Sequence, residues 1–207
     1  MRQYCALAAV LALASPAHAG ELVVTLQTPR GAAVGNAVVT LYPAGRPAPV
    51  AAARRNYRVV QQDLQFSPFV LVVPVGAQVS FPNLDNVLHH VYSFSRTKNF
   101  ELKLYAKAQS RAVRFDTAGA VPIGSNIHDN MTAFIKVVDT GLAAQSDGNG
   151  KAVFANVPRG PLIARIWHPH LRAPGNQIEM RWIGTPGRQA QAVSLNLRAP
   201  PRPSANY

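Results

Sequence analysis

Residues 124 to 131 read GSNIHDNM and set a hydroxyl, an imidazole and a thioether three residues apart, at Ser125, His128 and Met131. A short loop with that spacing can turn all three side chains toward one point. Upstream, FPNLDNVLHHVYSFS (Phe81 to Ser95) carries two adjacent histidines, and a strand bringing in His89 or His90 supplies a further imidazole. Neutral imidazole and thioether suit copper, and two His, one Cys and a long axial Met form a redox-active copper site. Here a serine stands where such a site needs sulfur. Zn(II) ranks behind copper because a thioether favours the softer ion.

Other groupings are weaker. Ser125, His128 and Asp129 are the residue types of a hydrolase triad, but such triads draw on separate elements around an oxyanion hole. Three residues within five positions of one loop rarely meet that geometry, and no G-x-S-x-G or other nucleophile motif occurs. The chain is therefore read as not an enzyme. His168 and His170 flank a proline and have no third ligand near in sequence, which predicts a structural role. Asp129 is a candidate acceptor for orienting the His128 ring.

The elements that must position these side chains are short and β-rich. Residues 1–19 have Arg2, an apolar run from Cys5 to Ala14 and an Ala17-His18-Ala19 site, which reads as a cleaved secretory signal. Export places the mature chain in the bacterial periplasm. Cys5 is the only cysteine and leaves with the signal, so neither a disulfide nor a thiolate ligand is expected. No other run is long and apolar enough for a transmembrane segment. The remaining about 188 residues suffice for one large β domain or two small ones.

With 21 Lys plus Arg against 9 Asp plus Glu, the charge is strongly basic. Export removes nucleic acid as a partner, leaving an acidic periplasmic protein, such as a redox partner, or the envelope surface. A solvated basic surface without a dedicated partner explains the charge equally well.

Strand-like segments recur along the chain, punctuated by 14 Gly and 17 Pro. Glu21 to Gln27 and Asn36 to Tyr42 read as a first hairpin, and Gln177 to Trp182 with Ala192 to Leu197 as a last one. Asp147-Gly148-Asn149-Gly150 is a strong hairpin turn signal. Trp167 and Trp182 read as packing residues. No convincing amphipathic helix appears, which predicts an all-β sandwich architecture. GRPAPVAAARRNY is a plausible boundary, and Val50 to Asn56 could form a helical turn or two.

Three linked motifs, G-A-Q-V-S-F-P-N-x-D-x-x-x-H-H-V-Y-S-F-S, F-E-L-x-L-Y and G-x-N-I-H-D-x-M, occur in order between Gly76 and Met131. With them the chain resembles plastocyanin-like cupredoxins of the methylamine-utilisation protein type. The resemblance covers roughly the middle third and implies a Greek-key sandwich over residues 55–139, which would be inserted in a second sandwich. That outer part, residues 20–48 and 140–198, resembles a prealbumin-like or carboxypeptidase-regulatory-like fold, and the Pro-rich tail 199–207 is expected to be disordered.

The resemblance further implies one-electron transfer at copper, with His89 and His128 as ligands, Met131 as the axial ligand and Ser125 at the cysteine position. A serine hydroxyl stays protonated at neutral pH and is a harder, weaker donor than thiolate. The implied function is thus a periplasmic copper-binding protein with a degenerate, Cys-less site. The alternative is a metal-free β-sandwich binding module that docks an acidic protein or the envelope. Side chains alternate along a strand, so His89 and His90 cannot both point inward, and His90 is expected to be an exposed strand residue.

Overall fold

The computed structural model describes residues 20–44, 48–50 and 56–199; the signal reading of residues 1–19, Cys5, all but the end residues of the possible helical turn at Val50 to Asn56 and the tail from 200 onward lie outside them. Among the described residues the chain is all β, apart from one 3-10 turn at Pro174–Asn176.

The strands are numbered in chain order. β1 (Gly20–Gln27) and β2 (Val38–Pro43) come first, then the short β3 (Tyr57–Arg58), β4 (Val60–Gln62) and β5 (Gln65–Ser67). Next are β6 (Val70–Pro74), β7 (Ala77–Pro82), β8 (His89–Phe94) and β9 (Asn99–Tyr105). β10 (Ser110–Phe115), β11 (Gly119–Gly124) and β12 (Thr132–Val138) follow. β13 (Ala143–Gln145), β14 (Lys151–Val157), β15 (Gly160–Trp167), β16 (Gln177–Gly184) and β17 (Arg188–Ser194) complete the set.

Two hydrophobic cores organise these strands. Sheets β14-β1-β17 and β13-β2-β15-β16 enclose the first. Leu22, Val24 and Leu26 alternate inward from β1, and meet Val39 and Leu41 of β2 and Ala164 and Ile166 of β15. Sheets β10-β7-β3 and β6-β12-β11-β8-β9 enclose the second, where Ala77, Val79 and Phe81 of β7 face Val91 of β8 and Ile135 of β12.

β12 belongs to both packing surfaces. Ala133, Ile135 and Val137 point into the second core, while Val138 and the partly buried Phe134 join Val38, Val70 and Trp167 in a third apolar cluster. The Trp167 ring meets Phe134 edge-on at 5.9 Å. A sheet strand covered on both faces reads as a continuous apolar run, as AFIKVV nearly does.

Both end hairpins expected from the sequence are absent. β1 pairs with β14 and, in parallel, with β17, whereas β2 pairs with β13 and β15. β16 pairs with β15, so β16 and β17 lie in different sheets. The Asp147 to Gly150 turn is real: Asp147 Oδ1 accepts the amides of Asn149 and Lys151, both at 2.9 Å, and Gly150 adopts φ +74°. It joins β13 to β14 across the two sheets and makes no hairpin. Alternation specifies which face is buried but not which neighbour a strand finds. Trp167 and Trp182 are buried, as expected of packing residues.

The WHPHL histidines pack within the fold. His168 is buried and its Nδ1 accepts the amide N–H of His170 at 3.1 Å. The His170 ring stacks on Phe69 with centroids 6.1 Å apart. Burial, with the neighbouring His170 adding to it, pushes His168 down to about 4. The unfolded chain then binds a proton that the folded chain refuses. This contribution is complete above the ordinary value of 6.5 and is lost as pH falls from there toward about 4. Thermal melts across that window should show falling stability, with a shallower slope for His168→Asn.

Candidate metal centre

The incoming histidine strand is positioned by a loop that the sequence builds from Asn83. This fully buried side chain donates from Nδ2 to the carbonyls of Val87, at 2.8 Å, and Tyr105, at 3.1 Å. Its Oδ1 accepts the amide of Asp85 at 2.9 Å. The curl so formed turns the Asp85 carboxylate back onto the strand it precedes.

Asp85 Oδ2 lies 2.7 Å from His89 Nε2. An ionised carboxylate only accepts, so Nε2 carries the hydrogen and Nδ1 of the neutral ring keeps its lone pair. Asp85 also accepts the amides of Asp63, at 2.7 Å, and Leu64, at 3.1 Å. Those two residues form the β4–β5 turn with φ +55° and +56°, a left-handed conformation that costs about 1–2 kcal/mol per non-glycine residue. Burial alone would raise the Asp85 carboxyl, but the bonds from His89, Leu64 and Asp63 together hold it below the usual range.

From the other side, the loop after β11 brings His128 to His89. The two ring centroids are 5.1 Å apart at 67°. His128 closes a turn by accepting the Met131 amide on its carbonyl at 3.0 Å. Burial, then the His89 ring, holds its imidazole below the ordinary value, with Asp85 opposing, so the ring is biased toward the neutral form that can ligate. Met131 is 1% exposed and packs with the second core. Ser125 is also buried, and its Oγ accepts the Ile127 amide at 3.4 Å.

Nδ1 of His89 and Nδ1 of His128 are both buried without a hydrogen-bond partner among the described residues. A buried imidazole nitrogen without a partner costs free energy, and at His89, where Asp85 holds the hydrogen on Nε2, the unpartnered nitrogen is a lone pair. Among the described residues, no cluster of three or more His, Cys, Asp or Glu side chains is arranged to hold a metal ion. A metal here would rest on the two imidazoles, with the thioether on the same loop as His128.

His90 departs from expectation. It is on the opposite face of β8 from His89, as alternation requires, yet only 5% exposed. The extra residue at the β8–β9 irregularity lies on β9, between Leu102 and Tyr105, so the alternation of β8 is kept. Tyr92 covers the ring at 5.7 Å and Glu101 Oε1 holds its Nε2 at 2.9 Å. Asp129 is exposed and makes no hydrogen bond to His128; the orienting carboxylate is Asp85, on His89. Its signal was the D-x-x-x-H spacing ahead of the strand. Leu84, Val87, Leu88 and Ile127 are exposed on the same two loops.

No protein-family model matches the chain, and no curated protein sequence does. Solved structures are similar to part of it. A purple cupredoxin from Nitrosopumilus maritimus matches at 19% identity over 40% of this chain and 100% of its own, with a TM-score of 0.37. A mutant of amicyanin in its reduced Cu(I) form matches at 20% identity over 48% of this chain and 98% of its own, TM-score 0.39. The Cu-containing nitrite reductase from Thermus scotoductus matches at 22% identity over 45% of this chain and 25% of its own, TM-score 0.40.

Proposed function

We propose that this protein is an exported copper-binding protein whose site, lacking a thiolate, holds Cu(I) through His89, His128 and Met131. It is a binding protein and not a catalyst, and the periplasm follows from the signal-like residues 1–19. The observation that carries the reading is the pair of buried, unpartnered Nδ1 atoms on rings 5.1 Å apart. Two imidazoles and a thioether form a soft to borderline set that suits Cu(I). Residues 55–139 act as the copper-holding sandwich, within an outer sandwich formed by residues 20–48 and 140–198.

Copper in such a site supplies one-electron chemistry. Ser125 does not assist fast exchange of an electron, because its hydroxyl is engaged as a loop acceptor and remains protonated. The chain's own part is to fix the His89 tautomer, bury the ligands and keep His128 neutral. An acidic periplasmic protein, met through the basic surface, is the proposed partner.

The test is titration of the mature protein with Cu(I) against a competing chelator. One equivalent should bind, without an intense visible band when Cu(II) is used instead; failure to take up any copper overturns the reading. Asp85→Ala should weaken Cu(I) binding by about 10–100-fold, the usual effect of losing a ligand-orienting partner. Asp85→Asn, which keeps an acceptor oxygen, should recover part of that loss.

A further inference from the structure

A second site lies where the two sandwiches meet. Lys136 projects from the outer face of β12 between Phe134 and Val138 and is 9% exposed. Its ammonium lies 5.3 Å from the Trp167 ring and makes one long hydrogen bond, 3.4 Å, to Gln177 Oε1. An ammonium has three donors. No carboxylate of the described residues is within ion-pair distance of it: Asp139 takes the Tyr42 hydroxyl at 2.7 Å, and Glu179 holds Arg165 Nε at 3.1 Å. A buried cation that is neither paired nor fully hydrogen-bonded is costly.

The same ammonium borders a cleft of about 150 Å³, which Thr40, Tyr42, Asp139, Arg165 and Gln177 also line. That is room for roughly five waters, or for one molecule of a few heavy atoms. Arg165 lies over the Tyr42 ring at 4.5 Å and brings a second positive charge to the wall. Its planar fork matches a planar oxyanion. The two cations are matched in number by Asp139 and Glu179, but Glu179 is held by Arg165 and Asp139 by the Tyr42 hydroxyl. The Lys136 ammonium thus has no carboxylate of the described residues in contact and room for one added negative charge at most.

We propose that this cleft binds a small planar monoanion, a carboxylate or bicarbonate, with the Lys136 ammonium as its counter-charge. The site is independent of the copper reading, since none of its residues belongs to the histidine loops. Burial pushes Lys136 down to about 8, with Arg165 adding to the shift and Asp139 opposing it. An anion in the cleft opposes that shift and favours the ammonium further.

The experiment uses the full mature chain, melted in sodium acetate, in sodium bicarbonate and in sodium chloride of equal ionic strength. The Lys136 side-chain ammonium is followed by NMR during the same titrations. The expected result is a saturable rise in melting temperature of several degrees with acetate or bicarbonate, and movement of the Lys136 resonance with the same half-saturation. Lys136→Met keeps the apolar stem and should abolish the rise. Response to acetate alone assigns carboxylates; response to bicarbonate alone assigns bicarbonate. A chloride response of equal size, a rise that persists in Lys136→Met, or a Lys136 resonance that does not move overturns the proposal, whether or not the folded chain takes copper.

Discussion

Ser125→Cys, loaded with Cu(II), should turn from colourless to intensely coloured in the visible. Ser125 is buried on the loop that carries His128 and Met131, so under the proposed ligand set a thiol placed there sits beside the metal with little change in volume. A thiolate bound to copper gives short, covalent donation and the strong absorption of a His, His, Cys set. The hydroxyl it replaces accepts one long bond from Ile127, so folding should survive the change. A Ser125→Cys protein that folds, takes copper and stays colourless would show that residue 125 does not face the ligands. One that takes no copper at all would remove the site.

His128→Ala should abolish Cu(I) binding at concentrations that saturate the unaltered protein. The loss should exceed the 10–100-fold expected for Asp85→Ala, because a ligand is removed and not merely its orientation. His128 lies on a loop and its ring is partly exposed, so truncation costs little core packing. The melting temperature without metal should barely move, or rise as an unpartnered buried Nδ1 is deleted. A His128→Ala protein that holds Cu(I) as tightly as before would refute the ligand assignment.

The sequence made the two histidine-bearing stretches legible because ligand chemistry is local: residue type and three-residue spacing survive without knowledge of the fold. The all-β character was legible for the same reason, through alternation at Leu22, Val24 and Leu26 and turn chemistry at Asp147. What stayed hidden depended on contacts between distant residues. His90 looked exposed because alternation assigns a face but cannot foresee Tyr92 and Glu101 closing over it. Asp85 reaches His89 only because Asn83 curls the loop through Tyr105, a bond across 22 residues. Nothing in the sequence marks Lys136 as buried, and only the second sandwich, through Trp167 and Gln177, makes it so. The missed strand partners follow the same logic, since β1 has one neighbour, β17, from the far end of the described chain.

That last pairing bears on the order of assembly. The strand at Gly20–Gln27 is synthesised early, yet its parallel neighbour at Arg188–Ser194 is the last of the described strands to be made. The sheet built on β1 must wait, with one flank unfilled, until Arg188–Ser194 has been made. Residues 57 to 138 carry all the pairings of their own two main sheets and can fold while synthesis continues. During synthesis the histidine-bearing unit can therefore mature first, and the sheets on either side of it in sequence close afterwards.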